Sequence, residues 1–312
     1  MSYALAESLA PRPEIAGWIA AMEARSLVQR RGILRELHAN KKLTMPRFLY
    51  RFQSLRRVAG EDTALAERSV ERLAIPIVHS LLRLESPESF NDPFDMGAAF
   101  DVSGTETEKR ARFREIFERN NPQGAPHELE AFVAQMLSVP REEMVSRIRE
   151  SFGRMRRQHG VVCFAGGDNP ARNVLMWSHY ASEHSGVCLQ FDPARDLRVF
   201  HLALSIKYCE MYPLITWIGN FHRSIGESLL RKHPRWEYEH EHRITIPEQA
   251  ERHLPFRPEA LTGIILGCRA KRDVEETVRD LLSERATRGM PPVHLYFARQ
   301  NSARYELDIR SR

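Results

Sequence analysis

Asn173-Val174-Leu175-Met176-Trp177-Ser178-His179-Tyr180-Ala181-Ser182-Glu183-His184-Ser185-Gly186 leads directly into Val187-Cys188-Leu189-Gln190-Phe191-Asp192. The first part predicts a short helix that stops at Gly186, because glycine readily adopts the left-handed backbone of a helix C-terminus. The second part is a short apolar run, which predicts a buried strand. Trp177, Tyr180 and His184 are three and four residues apart, so we expect them to line one side of the helix.

Working outward from this segment, the hydrophobic pattern predicts strands and helices that alternate irregularly. The predicted strands lie at 48–52, 161–164, 187–191, 202–208, 243–246, 262–266, 293–298 and 305–309, and the predicted helices lie near 61–75, 106–119, 126–137, 140–158, 174–184, 214–232 and 273–287. No glycine-rich nucleotide fingerprint is present. The pattern favours an α+β fold with a mixed, mainly antiparallel sheet, continuous or split, surrounded by helices.

The chain divides by pattern into an appended helical segment and a larger domain. Apolar residues spaced as in a helix run from about residue 13 to 38, so we interpret residues 1–45 as a helical extension. Residues 46–312 then form a single α+β domain of catalytic type, with a helical insertion around 105–158.

A second informative segment is Trp236-Glu237-Tyr238-Glu239-His240-Glu241-His242-Arg243, which continues into the apolar run Ile244-Thr245-Ile246. Read as one strand, it places the glutamates and Arg243 on one face. A row of carboxylates costs Coulomb energy unless a cation, metal or substrate faces it, so this segment is a candidate catalytic site. The alternative is an edge strand with a charged, solvated face, on which Arg243 simply neutralises Glu241.

Other candidate residues carry a structural interpretation beside the functional one. Asn91-Asp92-Pro93 predicts a turn that pins a loop, and Asp92 could also border a pocket. Trp177 is compatible with a place in the core, and we keep it as a candidate because Tyr180 and His184 are close by. His179 on its own is typical of a structural histidine, and Trp217 with Phe221 is typical of packing.

Composition limits the classes of function. The chain has 312 residues, 42% of them hydrophobic, a formal net charge of +5 and four separated cysteines without a C-x-x-C pair. We expect reduced thiols, no structural zinc site, no membrane span and a cytoplasmic location. Most positive charge is arginine interleaved with acids, which is typical of a solvated surface and favours nucleic-acid binding only slightly.

Several segments together resemble the bacterial domain-of-unknown-function 2971 family. They are Phe48 to Phe52, Leu84-Glu85-Ser86-Pro87 with Phe90 to Asp95, Cys163-Phe164, Met176 to Cys188, Trp236 to Arg243 and Gly263 to Gly267, in the same order. The resemblance runs from about residue 48 to the C-terminus and implies no activity by itself.

The order of motifs is also loosely similar to ADP-ribosyltransferases, which bind NAD in the cleft of a split mixed sheet. This similarity implies that Tyr50 or Arg51 holds the nicotinamide end, that Tyr180 or Trp177 stacks on nicotinamide, and that Glu241 or Glu239 is the acid. It further places Arg243, His184, Asn91 and Asp92 among the residues around the cofactor. The chain departs from those enzymes in having no Ser-Thr-Ser triplet and no histidine in the first motif.

We therefore expect an enzyme acting on a nucleotide-type small molecule, with NAD as substrate and a protein or nucleic acid as possible acceptor, in the manner of a bacterial toxin or antiviral defence effector. One alternative is a metal-dependent nuclease or phosphodiesterase that uses Glu239, Glu241, His240 and Asp92 as ligands. Another is a non-catalytic, arginine-rich module that binds nucleic acid or protein. The sequence does not fix the oligomeric state.

Overall fold

The computed structural model describes residues 13–31, 33, 45–55, 63–219 and 221–311. The helices are α1 Pro13–Glu23, α2 Thr63–Val78, α3 Glu106–Asn120, α4 Pro126–Leu137, α5 Arg141–Gln158, α6 Val174–Tyr180, α7 Leu197–Phe200, α8 Phe221–Leu229 and α9 Arg272–Thr287. The strands are β1 Leu49–Gln53, β2 Leu81–Arg83, β3 Ala99–Asp101, β4 Gly160–Ala165, β5 Val187–Phe191, β6 Leu204–Ser205, β7 Lys207–Tyr208, β8 Leu214–Thr216, β9 Arg231–Lys232, β10 Glu241–Ile246, β11 His253–Pro255, β12 Leu261–Leu266, β13 His294–Gln300 and β14 Leu307–Ser311.

The chain forms two compact units. Unit 1 comprises residues 1–85, 160–206 and 235–312, and unit 2 comprises residues 86–159 and 207–234. The predicted helical insertion at 105–158 falls within unit 2. The prediction of a single domain over 46–312 stays a prediction.

Unit 1 is built on a sheet of eight strands in the order β14-β13-β12-β5-β1-β4-β10-β6. The strands β12 and β13 run parallel, and every other neighbouring pair in this sheet is antiparallel. The α+β prediction with a mixed, mainly antiparallel sheet is therefore confirmed.

Both faces of this sheet are covered. On one side, called here the α2/α9 face, Leu49, Leu189 and Ile244 pack with buried residues of α2 and α9. On the other side, the α6 face, Tyr50 and Phe52 pack with buried residues of α6. A sheet with two covered faces carries apolar residues on both sides of its central strands, which explains the continuous apolar runs in the sequence.

The N-terminal helix is shorter than the pattern predicts. It ends at Glu23, and a second helical stretch begins at residue 27. Ser26 causes the interruption: its backbone N–H donates to Gln29 Oε1 at 3.0 Å, and its Oγ accepts from the Gln29 N–H at 3.3 Å, which is a capping box that starts a new helix. Most of the predicted extension before residue 13 and after residue 33 lies outside the described residues.

Unit 2 has a core of its own. Phe113, Val133 and Ile148 pack together with Trp217 and half-buried Phe221, which confirms the interpretation of Trp217 and Phe221 as packing residues. The predicted helix over 214–232 is wrong in its first part, because Leu214–Thr216 pairs with β3 as a parallel strand and the helix starts only at Phe221. β-branched residues favour this extended pairing.

Candidate functional site

The acidic segment is not one continuous strand, so the predicted row of three carboxylates on one face is wrong. Pro234–Glu239 forms a 3-10 helix, and the strand begins at Glu241. His240 between them has a left-handed φ of 45°, and its N–H donates to the Glu237 carbonyl at 3.0 Å. Glu237 is exposed on the 3-10 helix, whereas Glu239 and Glu241 are buried with 4% and 3% of their surface exposed.

Glu241 and Arg243 form an ion pair inside the sheet. Arg243 donates from Nε and Nη2 to Glu241 Oε1 at 2.8 and 2.7 Å. Strand β10 lies between β4 and β6, so the alternative of a charged edge strand with a solvated face is also wrong. Because both side chains are buried, Glu241 is committed to Arg243 and unsuited to stabilise a charge elsewhere.

Glu239 is hydrogen-bonded to one member of a group of rings, of which His179 is exposed and the other three are half-buried. Tyr180 Oη at the end of α6 donates to Glu239 Oε1 at 2.5 Å. Around this bond, the ring of His179 lies 6.1 Å from that of Tyr180 and 6.3 Å from those of Trp236 and Tyr238. These four residues are called here the aromatic cluster, which combines π faces with a buried carboxylate.

Asn173 fixes the position of the aromatic cluster. Its Oδ1 caps α6 by accepting from the Leu175 N–H at 3.0 Å, and its Nδ2 donates to the Tyr238 carbonyl at 2.9 Å. One side chain thus anchors both the helix that carries Tyr180 and the 3-10 helix that carries Glu239. Asn173 therefore holds Tyr180, the hydrogen-bond donor, close to Glu239, the acceptor.

Strand register brings Tyr50 and Glu241 onto the same face. Both residues are cross-strand partners of Ala165, Tyr50 on β1 and Glu241 on β10. Neighbouring strands are spaced by ~4.8 Å, so the two Cα atoms are about 10 Å apart on the α6 face. In the described register, β1 pairs with β4 at this single position but pairs with β5 at five, so the sheet opens between β1 and β4.

Tyr50 belongs to a polar network within the sheet. Gln190 Nε2 donates to Tyr50 Oη at 3.0 Å, and Thr262 Oγ1 donates to Gln190 Oε1 at 3.2 Å. Burial raises the pKa of Tyr50 above its ordinary value of 10.0. The phenol therefore stays protonated at neutral pH and can donate a hydrogen bond.

Two other predicted site residues lie elsewhere in unit 1. Trp177 is fully buried: its indole N–H donates to the Ala171 carbonyl at 2.7 Å, and its ring packs edge-on against Phe52. It is a core residue and has no face for stacking. Arg51 alternates with Tyr50 along β1 and turns to the α2/α9 face. Burial lowers its pKa, and the charges of Glu85 and Arg72 also act on it.

Asn91 and Asp92 belong to unit 2. Asp92 Oδ1 accepts from the Phe94 N–H at 2.9 Å, which is the self-capped turn that the sequence predicts. The structural interpretation of this motif is thereby confirmed.

His184 lies in a different place from its prediction. Helix α6 ends at Tyr180, so His184 does not continue the helical face of Trp177 and Tyr180. Ser182, Glu183 and His184 have left-handed φ values of 45°, 53° and 72°. Each such non-glycine residue costs of order 1–3 kcal/mol, and a run of three is a concentration of backbone strain.

The strained turn borders a cavity of about 550 Å³. Beyond His184, its lining includes Cys268, Arg269, Asn301, Arg304 and Tyr305. Partial burial and the charge of Arg269 lower the pKa of His184, and burial raises the pKa of the Cys268 thiol. The sequence pattern missed this cavity, because its residues come from the turn after α6, the end of β12 and the hairpin between β13 and β14, which no local motif links.

The metal-dependent alternative gains no support from ligand geometry. Within the described ranges, no group of three or more histidine, cysteine, aspartate or glutamate side chains is arranged to hold a metal ion. The proposed ligands Glu239 and Glu241 instead have Tyr180 and Arg243 as partners.

The arginine-rich alternative is weakened by local pairing. Helices α3, α5 and α9 carry arginine–glutamate ion pairs one turn apart, among them Arg110–Glu106, Arg147–Glu143 and Arg279–Glu275. Much of the positive charge is therefore balanced on its own helix.

In the comparison with known proteins, one family model matches a part of the chain. The model of the family described as "Protein of unknown function (DUF2971)" matches residues 176–244, a range that includes Tyr180, His184, Glu239, Glu241 and Arg243. The resemblance predicted outside this range stays a prediction. Neither the curated proteins nor the solved structures gave a match. In the part of the chain that the structure describes, no helix is long and apolar enough to cross a membrane.

Proposed function

We propose that this chain is an ADP-ribosyltransferase-like or NAD-cleaving enzyme, with NAD as its substrate and Glu239 and Tyr180 at the reacting centre. The observation that carries the proposal is the 2.5 Å hydrogen bond from Tyr180 to the buried Glu239 carboxylate within the aromatic cluster. The opening of the sheet between β1 and β4, beside Tyr50, adds a feature of the split sheets in which such enzymes bind NAD.

The chemistry requires a negative charge that is placed before the reaction begins. Cleavage of the bond between nicotinamide and ribose builds positive charge on the sugar as the bond breaks. A fixed carboxylate in a region of low dielectric stabilises this charge more than it stabilises the ground state. Glu239 suits this role, because its carboxylate is buried and accepts a hydrogen bond from the Tyr180 phenol.

Glu241 takes a supporting role in this proposal. The guanidinium of Arg243 already balances its charge, so it contributes little to a developing cation. Glu239 therefore replaces Glu241 as the proposed acid. The stacking surface changes similarly: the half-buried rings of Trp236 and Tyr238 replace the core residue Trp177.

The test is release of nicotinamide from NAD by the purified protein, measured by chromatography with mass spectrometry. We expect Glu239→Gln to lower the rate by about a hundredfold or more, because the amide keeps the shape and removes the charge. Tyr180→Phe should lower it less, by about tenfold, since it removes one oriented hydrogen bond.

Glu237→Gln is the matched control, because Glu237 lies on the same 3-10 helix but is exposed. It should leave the rate unchanged. Equal rates for Glu239→Gln and the unmodified protein, or an absence of nicotinamide release from the unmodified protein, would overturn the proposal. Mass spectrometry of added protein and nucleic acid then identifies the acceptor of any transferred group.

A further inference from the structure

The cavity beside His184 is separate from the Glu239 carboxylate and has the composition of a binding site. Three segments form its wall: the turn after α6, the end of β12, and the hairpin loop between β13 and β14. Its volume of about 550 Å³ is within the range of pockets that hold small molecules. It is large enough for a ligand the size of a mononucleotide.

Arg269 is the principal charge of this cavity. It is exposed, and it has no ion-pair partner among the residues that the structure describes. The backbone of Arg269 is fixed at the cavity because its N–H donates to the His184 carbonyl at 3.0 Å. The guanidinium of an arginine presents a planar set of donors that matches the oxygens of a phosphate.

Arg304 adds a second guanidinium from the opposite hairpin loop. Its ion-pair partner Glu306 also lines the cavity and lies 3.9 Å from Arg304, which is a long pair between an exposed arginine and a half-buried glutamate. With Arg269 included, the positive charges outnumber the negative charge. The lining therefore favours an anion over a cation.

The turn that carries His184 is held in place by a close backbone approach. A Cβ atom at Gly267 would lie 2.0 Å from the His184 carbonyl oxygen, so only glycine permits the contact between this turn and the end of β12. His184 Nε2 lies 3.1 Å from Ser178 Oγ. Buried His184 Nδ1 and Ser182 Oγ have no hydrogen-bond partner among the described residues. Strained backbone and unsatisfied polar atoms together are typical of binding sites.

We infer that this cavity binds a phosphate-bearing small molecule of about mononucleotide size, with its phosphates at Arg269 and Arg304. Tyr305, whose side chain is fully exposed at the rim, supplies a ring on which a base can stack. The inference does not depend on the proposed NAD chemistry, because it concerns binding alone and uses none of the residues assigned to cleavage.

The test is isothermal titration of the full chain with ADP, with inorganic pyrophosphate and with adenosine. We expect ADP to bind more tightly than pyrophosphate and adenosine to bind most weakly. Arg269→Gln should weaken the binding of ADP and of pyrophosphate by about tenfold or more. Tyr305→Ala should weaken the binding of ADP by several-fold and leave the binding of pyrophosphate unchanged, since the ring contacts only the base.

Arg272→Gln is the matched control, because Arg272 is a highly exposed arginine nearby in sequence that pairs with Glu276 and does not line the cavity. It should bind both ligands as the unmodified protein does. Failure of both ADP and pyrophosphate to bind would overturn the inference, as would equal affinities for Arg269→Gln and Arg272→Gln. Weakened ADP binding in Arg269→Gln with unchanged nicotinamide release separates the two sites.

Discussion

Glu241 and Arg243 are a charged pair in the interior of a sheet, and this determines what substitution does to them. Glu241→Gln leaves the Arg243 guanidinium buried without its counter-charge, so we expect a loss of about 3–5 kcal/mol in the free energy of unfolding. Urea denaturation followed by circular dichroism measures it. A change in activity caused by this substitution would therefore report stability as well as chemistry.

The matched double variant isolates the charge. Replacing both residues together by methionine removes the pair and keeps an apolar volume, so the loss should be clearly smaller than the sum of the two single losses. If the losses are additive, the two side chains are not coupled in the way that the 2.7 Å contact indicates.

His184 gives a pH dependence of stability. Its pKa is lowered from 6.5 by partial burial and by Arg269, so the unfolded chain binds the proton more readily than the folded protein. This contribution to stability is present above 6.5 and is lost as the pH falls toward the lower, folded pKa. Denaturation between about pH 8 and about pH 5 should show a smaller acid loss for His184→Gln than for the unmodified protein.

An exposed histidine serves as the control for this measurement. His127 lies on the surface of α4, and His127→Gln should keep the acid loss of the unmodified protein. An identical loss in all three proteins would mean that His184 does not contribute to the pH dependence.

At the scale of elements, the close approach of β12 to the turn after α6 predicts an effect of one added methyl group. Gly267→Ala places a carbon 2.0 Å from a backbone oxygen, so we expect a loss of about 2 kcal/mol or more. Gly17→Ala is the control, because nothing lies within 4 Å of that position on α1 and alanine is the better helix former by about 0.5–1 kcal/mol. The midpoint of thermal denaturation should fall for Gly267→Ala and rise for Gly17→Ala.

Elements with strong local patterns could be predicted, and those set by distant contacts could not. Helices α3, α4 and α5 and strands β4 and β5 follow from periodicity and lie within a residue or two of their predicted bounds. The 3-10 helix Pro234–Glu239 could not be found in this way, since alternating acids and aromatics give the same period as a strand. The spacing of Ser26 and Gln29 is a sequence signal for the start of a new helix, but the apolar periodicity runs through it and hides the break.

The candidate site shows the same limit. Glu239, Glu241 and Tyr180 were found because they are close in sequence to apolar strands and helices. The partners of these residues and the left-handed run at Ser182 to His184 depend on tertiary packing, which no local pattern encodes.

At the scale of the whole molecule, Arg285 connects three backbone segments of unit 1, two of which are distant from it in sequence. Its fully buried guanidinium donates to the carbonyls of Ile77, Pro258 and Pro291 at 2.7, 2.6 and 2.8 Å. We expect Arg285→Met to cost about 3 kcal/mol or more, because three buried acceptors lose charged donors at once. Arg285→Lys should rescue this only partly, since an ammonium group lacks the planar fork.

Arg288→Met is the comparison for this prediction. Arg288 lies on the exposed side of the same helix end and pairs with Glu284, so its loss should cost less than about 0.5 kcal/mol. Urea midpoints of the three variants rank the effects. Equal midpoints for Arg285→Met and Arg288→Met would show that the three hydrogen bonds of Arg285 do not stabilise unit 1.

The chain passes between its two units at four points, and this order has a consequence during synthesis. A ribosome has delivered every residue of unit 2 once residue 234 emerges, while unit 1 still awaits β10 to β14. Unit 2 can therefore fold first, although it begins later in the chain. The incomplete sheet of unit 1 is prone to aggregation until its last strands have been synthesised. Nascent chains halted once residue 234 has emerged should already contain protease-resistant fragments from residues 86–159 and 207–234.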